Sequence, residues 1–128
     1  IIPFAINNKE GRVSLKNFEN HSGKSTLLES NEKFDNTEEI DSITHIKLEK
    51  LIVSSNDIFI KIDVEGLEEI VINEVSKCSF FKNVKHIFYE VNESWTNNEL
   101  ILKKLKNLGF LYFQKIGNKN HYDVIASR

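Results

Sequence analysis

The sequence predicts an α/β domain: a mostly parallel sheet, helices packed against it, and an antiparallel β-hairpin at the carboxyl end. Three observations predict it. From residue 57 onward apolar strand patterns alternate with helical ones, and the helices, about a dozen residues each, are long enough for parallel crossovers. The strand candidates IFIKI and VKHIFYEV are short, apolar and rich in β-branched and aromatic residues. The final stretch, LYFQKI-GNKN-HYDVIA, reads as two strands around a polar turn.

Taken in order, residues 1–20 read as two short strands around the turn NNKEG, the second, RVSLKNF, alternating with period two. Residues 21–41 are polar and weakly periodic, which predicts a long loop of the binding or lid kind. Residues 43–48 suit a strand and 48–53 a short helix. Residues 57–62 are the clearest strand, with Ile58, Ile60 and Ile62 on one face and Phe59 on the other. Residues 65–77 form a helix whose apolar stripe is Leu67, Ile70, Val71, Val75 and Cys78. Residues 84–91 form the next strand. Residues 97–108 form a helix with Ile101, Leu105 and Leu108 inward, and Gly109 ends it. Strands at 111–116 and 122–126 flank the turn 117–120. The expectation is a single domain, 1–128, with a hairpin and polar loop region (1–56) before the strand-helix-strand-helix-hairpin (57–128).

Composition narrows the class. In 128 residues, 40% apolar and 28% charged content is ordinary for a globular protein. Seventeen basic against nineteen acidic side chains leave a net charge of −2, with no basic block. That gives no electrostatic support to nucleic-acid or membrane-surface binding. The single Cys78 excludes an internal disulfide and a multi-cysteine zinc site. No apolar run approaches the ~20 residues of a membrane span. There is no signal-peptide pattern, and a cytoplasmic location is the expectation.

The chemistry concentrates where the clearest strand ends. Asp63, Glu65, Glu68 and Glu69 crowd the mouth of that strand, and Glu90 ends the next one. In α/β sheets ligands bind at the carboxyl ends of strands. Two readings compete. Asp63 caps the following helix while the glutamates favour its positive end, or Asp63 and Glu65 face a cleft. In a cleft they could bind a hard cation, take a hydroxyl proton or hydrogen-bond a sugar. Gly66, in what reads as a first helical turn, costs roughly 1 kcal/mol against Ala and marks a special backbone. Trp95 is the only Trp; it suits helix packing or a cleft wall. The four histidines, His21, His45, His86 and His121, form no metal-ligand spacing. His21 lies in HSGKSTL, which shares the end of a phosphate-binding loop but lacks its upstream glycine, position 18 being Phe18.

At Lys61-Ile62-Asp63-Val64-Glu65-Gly66-Leu67-Glu68 the chain resembles the FkbM family of S-adenosylmethionine-dependent methyltransferases, whose signature after a buried strand is Lys-Ile-Asp-Val-Glu-Gly-x-Glu. The segments AINNKEGRVSL, SGKSTL, HIKLEKLI (Glu49 standing where the family has Asp), HIFYEVNE and LKNLGF are similar to flanking segments of the family. The resemblance implies part of a class I, Rossmann-like methyltransferase fold. The family's glycine-rich Asp-x-Gly-Ala-Asn-x-Gly loop, and the acidic residue that ends the strand after it, do not occur in this sequence. The expectation is therefore the carboxyl-terminal part of the catalytic domain, with which the start at Ile1 and the absence of Met agree. The strand 57–62 would then expose an apolar edge that invites self-association.

The implied reaction is methyl transfer from S-adenosyl-L-methionine to a hydroxyl of a sugar, glycan or secondary metabolite. The resemblance points to Asp63, Glu65 and Glu90 as catalytic and to Asp63 and Val64 at the cofactor. It places His21, Ser25, Glu68 and Trp95 at the substrate. A divalent metal is possible without being indicated. A metal-dependent glycosyltransferase-like site and a non-catalytic interaction module remain the alternatives.

Overall fold

A computed structural model describes residues 3–18, 25–27, 34–53 and 56–128. These residues form two four-stranded sheets. The first contains β1 (Ala5–Ile6), β2 (Gly11–Phe18), β3 (Ser25–Thr26) and β4 (Phe34–Ile43), in the order β1-β4-β2-β3. The second contains β5 (Ile58–Ile62), β6 (Val84–Asn92), β7 (Tyr112–Ile116) and β8 (His121–Ser127), in the order β5-β6-β8-β7. Helices α1 (His45–Leu51), α2 (Glu68–Val75) and α3 (Asn98–Asn107) connect them, with a 3₁₀ turn at Ser79–Asn83.

The expected mostly parallel sheet is corrected to mixed pairing. Within the second sheet β5 and β6 are parallel, while β6–β8 and β8–β7 are antiparallel. The physical reason is connection length. The crossover through α2 permits a parallel pair, whereas the tight turn between β7 and β8 forces an antiparallel one. The terminal hairpin itself forms as expected, from Tyr112↔Ser127 to Ile116↔Asp123.

The amino-terminal region departs further. The expected long loop at 21–41 holds β3 and most of the ten-residue β4. Nor do the two early strands form a hairpin with each other. β4 lies between them, parallel to β1 and antiparallel to β2, so that Ser42 faces Ala5 on one side and Gly11 on the other. Sequence pattern misses β4 because FDNTEEIDSI lacks apolar alternation. Its strand is held by backbone pairing with β2 from Gly11↔Ser42 to Asn17↔Asn36. The strand expected at 43–48 and the helix at 48–53 shift forward, α1 starting directly after β4 at His45.

The core of the second sheet follows the expected periodicity. β6 buries Val84, Ile87, Tyr89 and Val91, and β8 buries Tyr122, Val124 and Ala126. α3 turns Ile101 and Leu105 inward, and Gly109 adopts the left-handed backbone that ends the helix. On α2 the buried apolar residues are Val71, Ile72 and Val75, so Ile72 replaces the expected Ile70. Ile43 joins this core, and Phe4 and Ile6 pack against it, which couples the two sheets. β5 ends its sheet, with Phe59 exposed on it. Among the described residues no helix is long and apolar enough to cross a membrane.

Candidate active site

β5 turns Ile58, Ile60 and Ile62 inward, as their spacing predicts, and delivers Asp63 just past its carboxyl end. Its parallel neighbour β6 is in register with Ile62 opposite Tyr89, so Glu90 arrives level with Asp63. The residues directly after Asp63 form a turn and not a helix. Glu65 has φ 48° and Gly66 φ 97°, two successive residues in the left-handed region. Glycine adopts that region freely, while Glu65 holds it at a cost of roughly 1–2 kcal/mol. α2 begins only at Glu68, with Leu67 at its N-cap and no side-chain cap bond. The capping reading of Asp63 is thereby overturned, and the expected helix start at 65 moves to 68. Gly66 serves the turn, not the helix.

This turn gathers charge. Carboxylate oxygens of Asp63, Glu65 and Glu90 lie within 4.8 Å of one another. Two basic side chains flank them. Lys61 Nζ is 2.6 Å from Asp63 Oδ2, and His121 Nε2 is 2.6 Å from Glu90 Oε1. The hydrogen bond and charge of Asp63 hold the Lys61 ammonium above its ordinary pKa. Glu65 is 8% exposed. Its carbonyl accepts a hydrogen bond from the Thr26 hydroxyl at 2.8 Å, which anchors β3 to the turn. Oxygen donors at this spacing suit a hard divalent cation or any other positively charged group.

Beside Asp63 lies a largely apolar cavity of about 320 Å³ between the two sheets. Ile60, Val64 and Leu67 line one side, Ile6, Leu15 and Ser25 the other. Val64 and Ser25 thus meet Asp63 at one cavity. The Ser25 hydroxyl donates to Asn17 Oδ1 at 2.6 Å. His21 lies outside the described residues.

Glu68, expected at the substrate, is 1% exposed. One of its oxygens accepts the Gly66 N–H at 3.1 Å and the other the Thr96 hydroxyl at 2.9 Å. It orders the carboxylate turn from inside, and burial of its polar carboxyl group is tolerated because both oxygens are engaged. Trp95 lines a separate hollow with Glu93 and Tyr122, away from the cavity at Asp63. Cys78 is buried, and burial pushes its thiol up to about 11, which leaves it unreactive.

Sequence pattern misses Thr26, Lys61, Thr96 and His121. Thr26 and Lys61 stand within the family-like segments, but nothing in their spacing announces a partner 39 residues away or a carboxylate two residues on. Thr96 and His121 act across the fold and leave no local signal.

No curated protein and no solved structure matches the chain. A family model described as Methyltransferase FkbM domain matches residues 1–112, a span that takes in every expected site residue and stops short of His121. With that match over most of the 128 residues, and the signature forming the carboxylate turn, the chain belongs to the FkbM methyltransferase domain family.

Proposed function

We propose that this chain is the carboxyl-terminal part of an S-adenosylmethionine-dependent O-methyltransferase with a class I, Rossmann-like fold, acting on a hydroxyl of a sugar, glycan or secondary metabolite. The observation that carries the reading is the convergence of Asp63, Glu65 and Glu90 at the carboxyl ends of two parallel strands. Ligands of α/β sheets bind there.

The residues present suit the cofactor. A crowded set of carboxylates favours a positively charged partner, and the adjoining apolar cavity suits a flat base. When bound, S-adenosylmethionine supplies an electrophilic methyl group on a positively charged sulfur. Asp63 and Val64 would hold it at the cavity rim.

Asp63 is the residue assigned to the acceptor hydroxyl. Half exposed beside the cavity and oriented by Lys61, it can take a hydrogen bond from that hydroxyl and direct the oxygen lone pair. Holding the acceptor in line is the main demand of such a displacement, and a positioned base adds a factor of about 10²–10⁴. Glu90 is steered by His121 and can reach the acceptor from the neighbouring strand. Glu65, held through its backbone by Thr26, keeps the turn in its left-handed form. Self-association through the open outer edge of β5 belongs to the same reading.

The test is transfer of labelled methyl from S-adenosylmethionine to candidate alcohol acceptors by the full-length protein, since the family's glycine-rich cofactor loop does not occur in this sequence. Asp63→Asn should lower the rate at least a hundredfold while leaving the melting temperature near wild type. Full activity in Asp63→Asn removes Asp63 from the chemistry. Loss of wild-type activity on adding a chelator assigns the carboxylates to a metal instead.

A further inference from the structure

We infer that the hollow beside Trp95 is an acceptor subsite for a neutral, polyhydroxylated ligand of the sugar class. The inference rests on the methyltransferase reading, which requires an acceptor hydroxyl.

The hollow measures about 550 Å³ and opens at the carboxyl end of β6, in the segment leading to α3. Its walls combine the indole of Trp95 and the phenol ring of Tyr122 with the polar side chains of Glu93, Asn97 and Asn98. This is the mixture a sugar requires. The Trp95 face can accept the apolar C–H side of a pyranose, and amides and carboxylates bond its hydroxyls; Tyr122, 7% exposed and with Lys115 over its ring, supports the floor. Among the described residues the charged ones lining the hollow are Glu93 and Glu99, and the Lys115 ammonium lies 3.4 Å over the ring of Tyr122. The two carboxylates favour a neutral ligand over a phosphorylated or carboxylated one.

The site is built in advance. Tyr89 donates its hydroxyl proton to Asn98 Oδ1 at 3.0 Å, and Asn98 Nδ2 donates to the Tyr122 hydroxyl oxygen at 3.1 Å. This chain of bonds orients the amide and the phenol at the floor. The loop itself is pinned by Trp95 and Thr96 N–H groups bonding the Asn92 carbonyl, at 2.9 and 2.8 Å, and by Glu93 N–H bonding the Asn120 carbonyl at 2.8 Å. A ligand entering it has little ordering left to impose.

The hollow is also mechanically joined to the carboxylate turn. Glu68 holds the Thr96 hydroxyl in the hollow's wall with one oxygen and the Gly66 N–H of the turn with the other. Tyr122 follows His121, which is bonded to Glu90. A sugar resting on Trp95 is therefore held by the same elements that hold the assigned catalytic carboxylates.

Trp95 is the only Trp, so its emission reports on the hollow directly. The experiment titrates the protein with methyl glycosides of several neutral hexoses and deoxyhexoses, with the matching sugar phosphates, and with choline as a cation probe. A saturable emission change with at least one neutral glycoside, and weaker responses to the phosphate and to choline, is the expected result. Glu93→Gln, followed by emission, and Trp95→Ala, followed by calorimetry, should each weaken that glycoside at least tenfold, both variants melting near wild type. No saturable response to any glycoside, or a stronger one to phosphate or choline, overturns the subsite. The two readings fail separately. Glycoside binding that Asp63→Asn leaves intact, without methyl transfer by the full-length wild type, breaks the methyltransferase reading alone. Undiminished methyl transfer in Trp95→Ala breaks the subsite alone.

Discussion

On β6 and β8 the inward side chains vanish from solvent, whereas in β1-β4-β2-β3 most side chains remain wet. Val84, Ile87, Tyr89, Val91 and Ala126 are all at or near zero exposure in the former. The latter is laced on its surface by polar pairs: Ser14 with Glu39, Asn17 with Asn36 at 2.5 Å, and Arg12 with Asp41 at 3.8 Å. Apolar burial at about 25 cal/mol per Å² drives folding, while exposed ion pairs contribute about 0–1 kcal/mol. The first kind of sheet supplies stability. The second is held by its backbone ladder, and its service to the site is to present Ser25 and Thr26.

The largest effect that would break this contrast lies in the core. Leu105→Ala removes a fully buried side chain of α3 and should cost about 2–5 kcal/mol in urea unfolding. A cost below about 1 kcal/mol, the scale of a surface substitution, would mean that the second sheet is not the stable one.

The joint between the two regions comes next. Glu74 on α2 is 2% exposed, yet it accepts the His45 N–H and the His45 ring Nδ1, both at 2.9 Å, and the Lys77 ammonium. Burial alone would raise its pKa. The Lys77 hydrogen bond, then those from His45, outweigh burial and bring it down to about 2. The folded value lies below the ordinary value of 4.5, so the stabilisation is complete above pH 4.5 and is lost as pH falls toward 2. Its size is on the order of 3 kcal/mol, at about 1.36 kcal/mol per unit. Unfolding free energies of wild type and Glu74→Gln should therefore converge as pH drops through this window. A constant difference across it would remove Glu74 as the joint.

The smallest expected effect on stability sharpens the comparison most. Thr26→Val deletes the hydroxyl that β3 places on the Glu65 carbonyl. It should cost only about 1 kcal/mol, yet lower methyl transfer by a larger factor because the turn loses its anchor. Equal losses in both measurements would make β3 a structural strand alone.

Much of this architecture is legible in residue order. β5, β6, α3 and the β7–β8 hairpin announce themselves because one face of each is buried, and burial writes a period into sequence. β4 does not, because it is held by its backbone ladder with β2, and with β1 only at Ser42 and Ile43, without burying a regular apolar face. Pattern misplaces the start of α2 for a related reason. Glu65 is an ordinary helix former by propensity, and only its surroundings hold it at φ 48°. Of the site residues, Asp63, Glu65 and Glu90 stand out by their place at strand ends. Glu68 stands out too, but its burial is not legible, since a glutamate reads as exposed unless its partners, here Gly66 and Thr96, are known.

Residue type and spacing alone settle the family signature, the strands of the second sheet and the identity of the carboxylates at its carboxyl edge. These are local properties. Long-range packing sets the rest: that β4 runs between β1 and β2, that Asp63 does not cap a helix, and that Lys61, Thr26 and His121 attend the three carboxylates. Those arrangements depend on contacts that the fold makes and on a backbone turn held by its neighbours, for which local propensity carries no information.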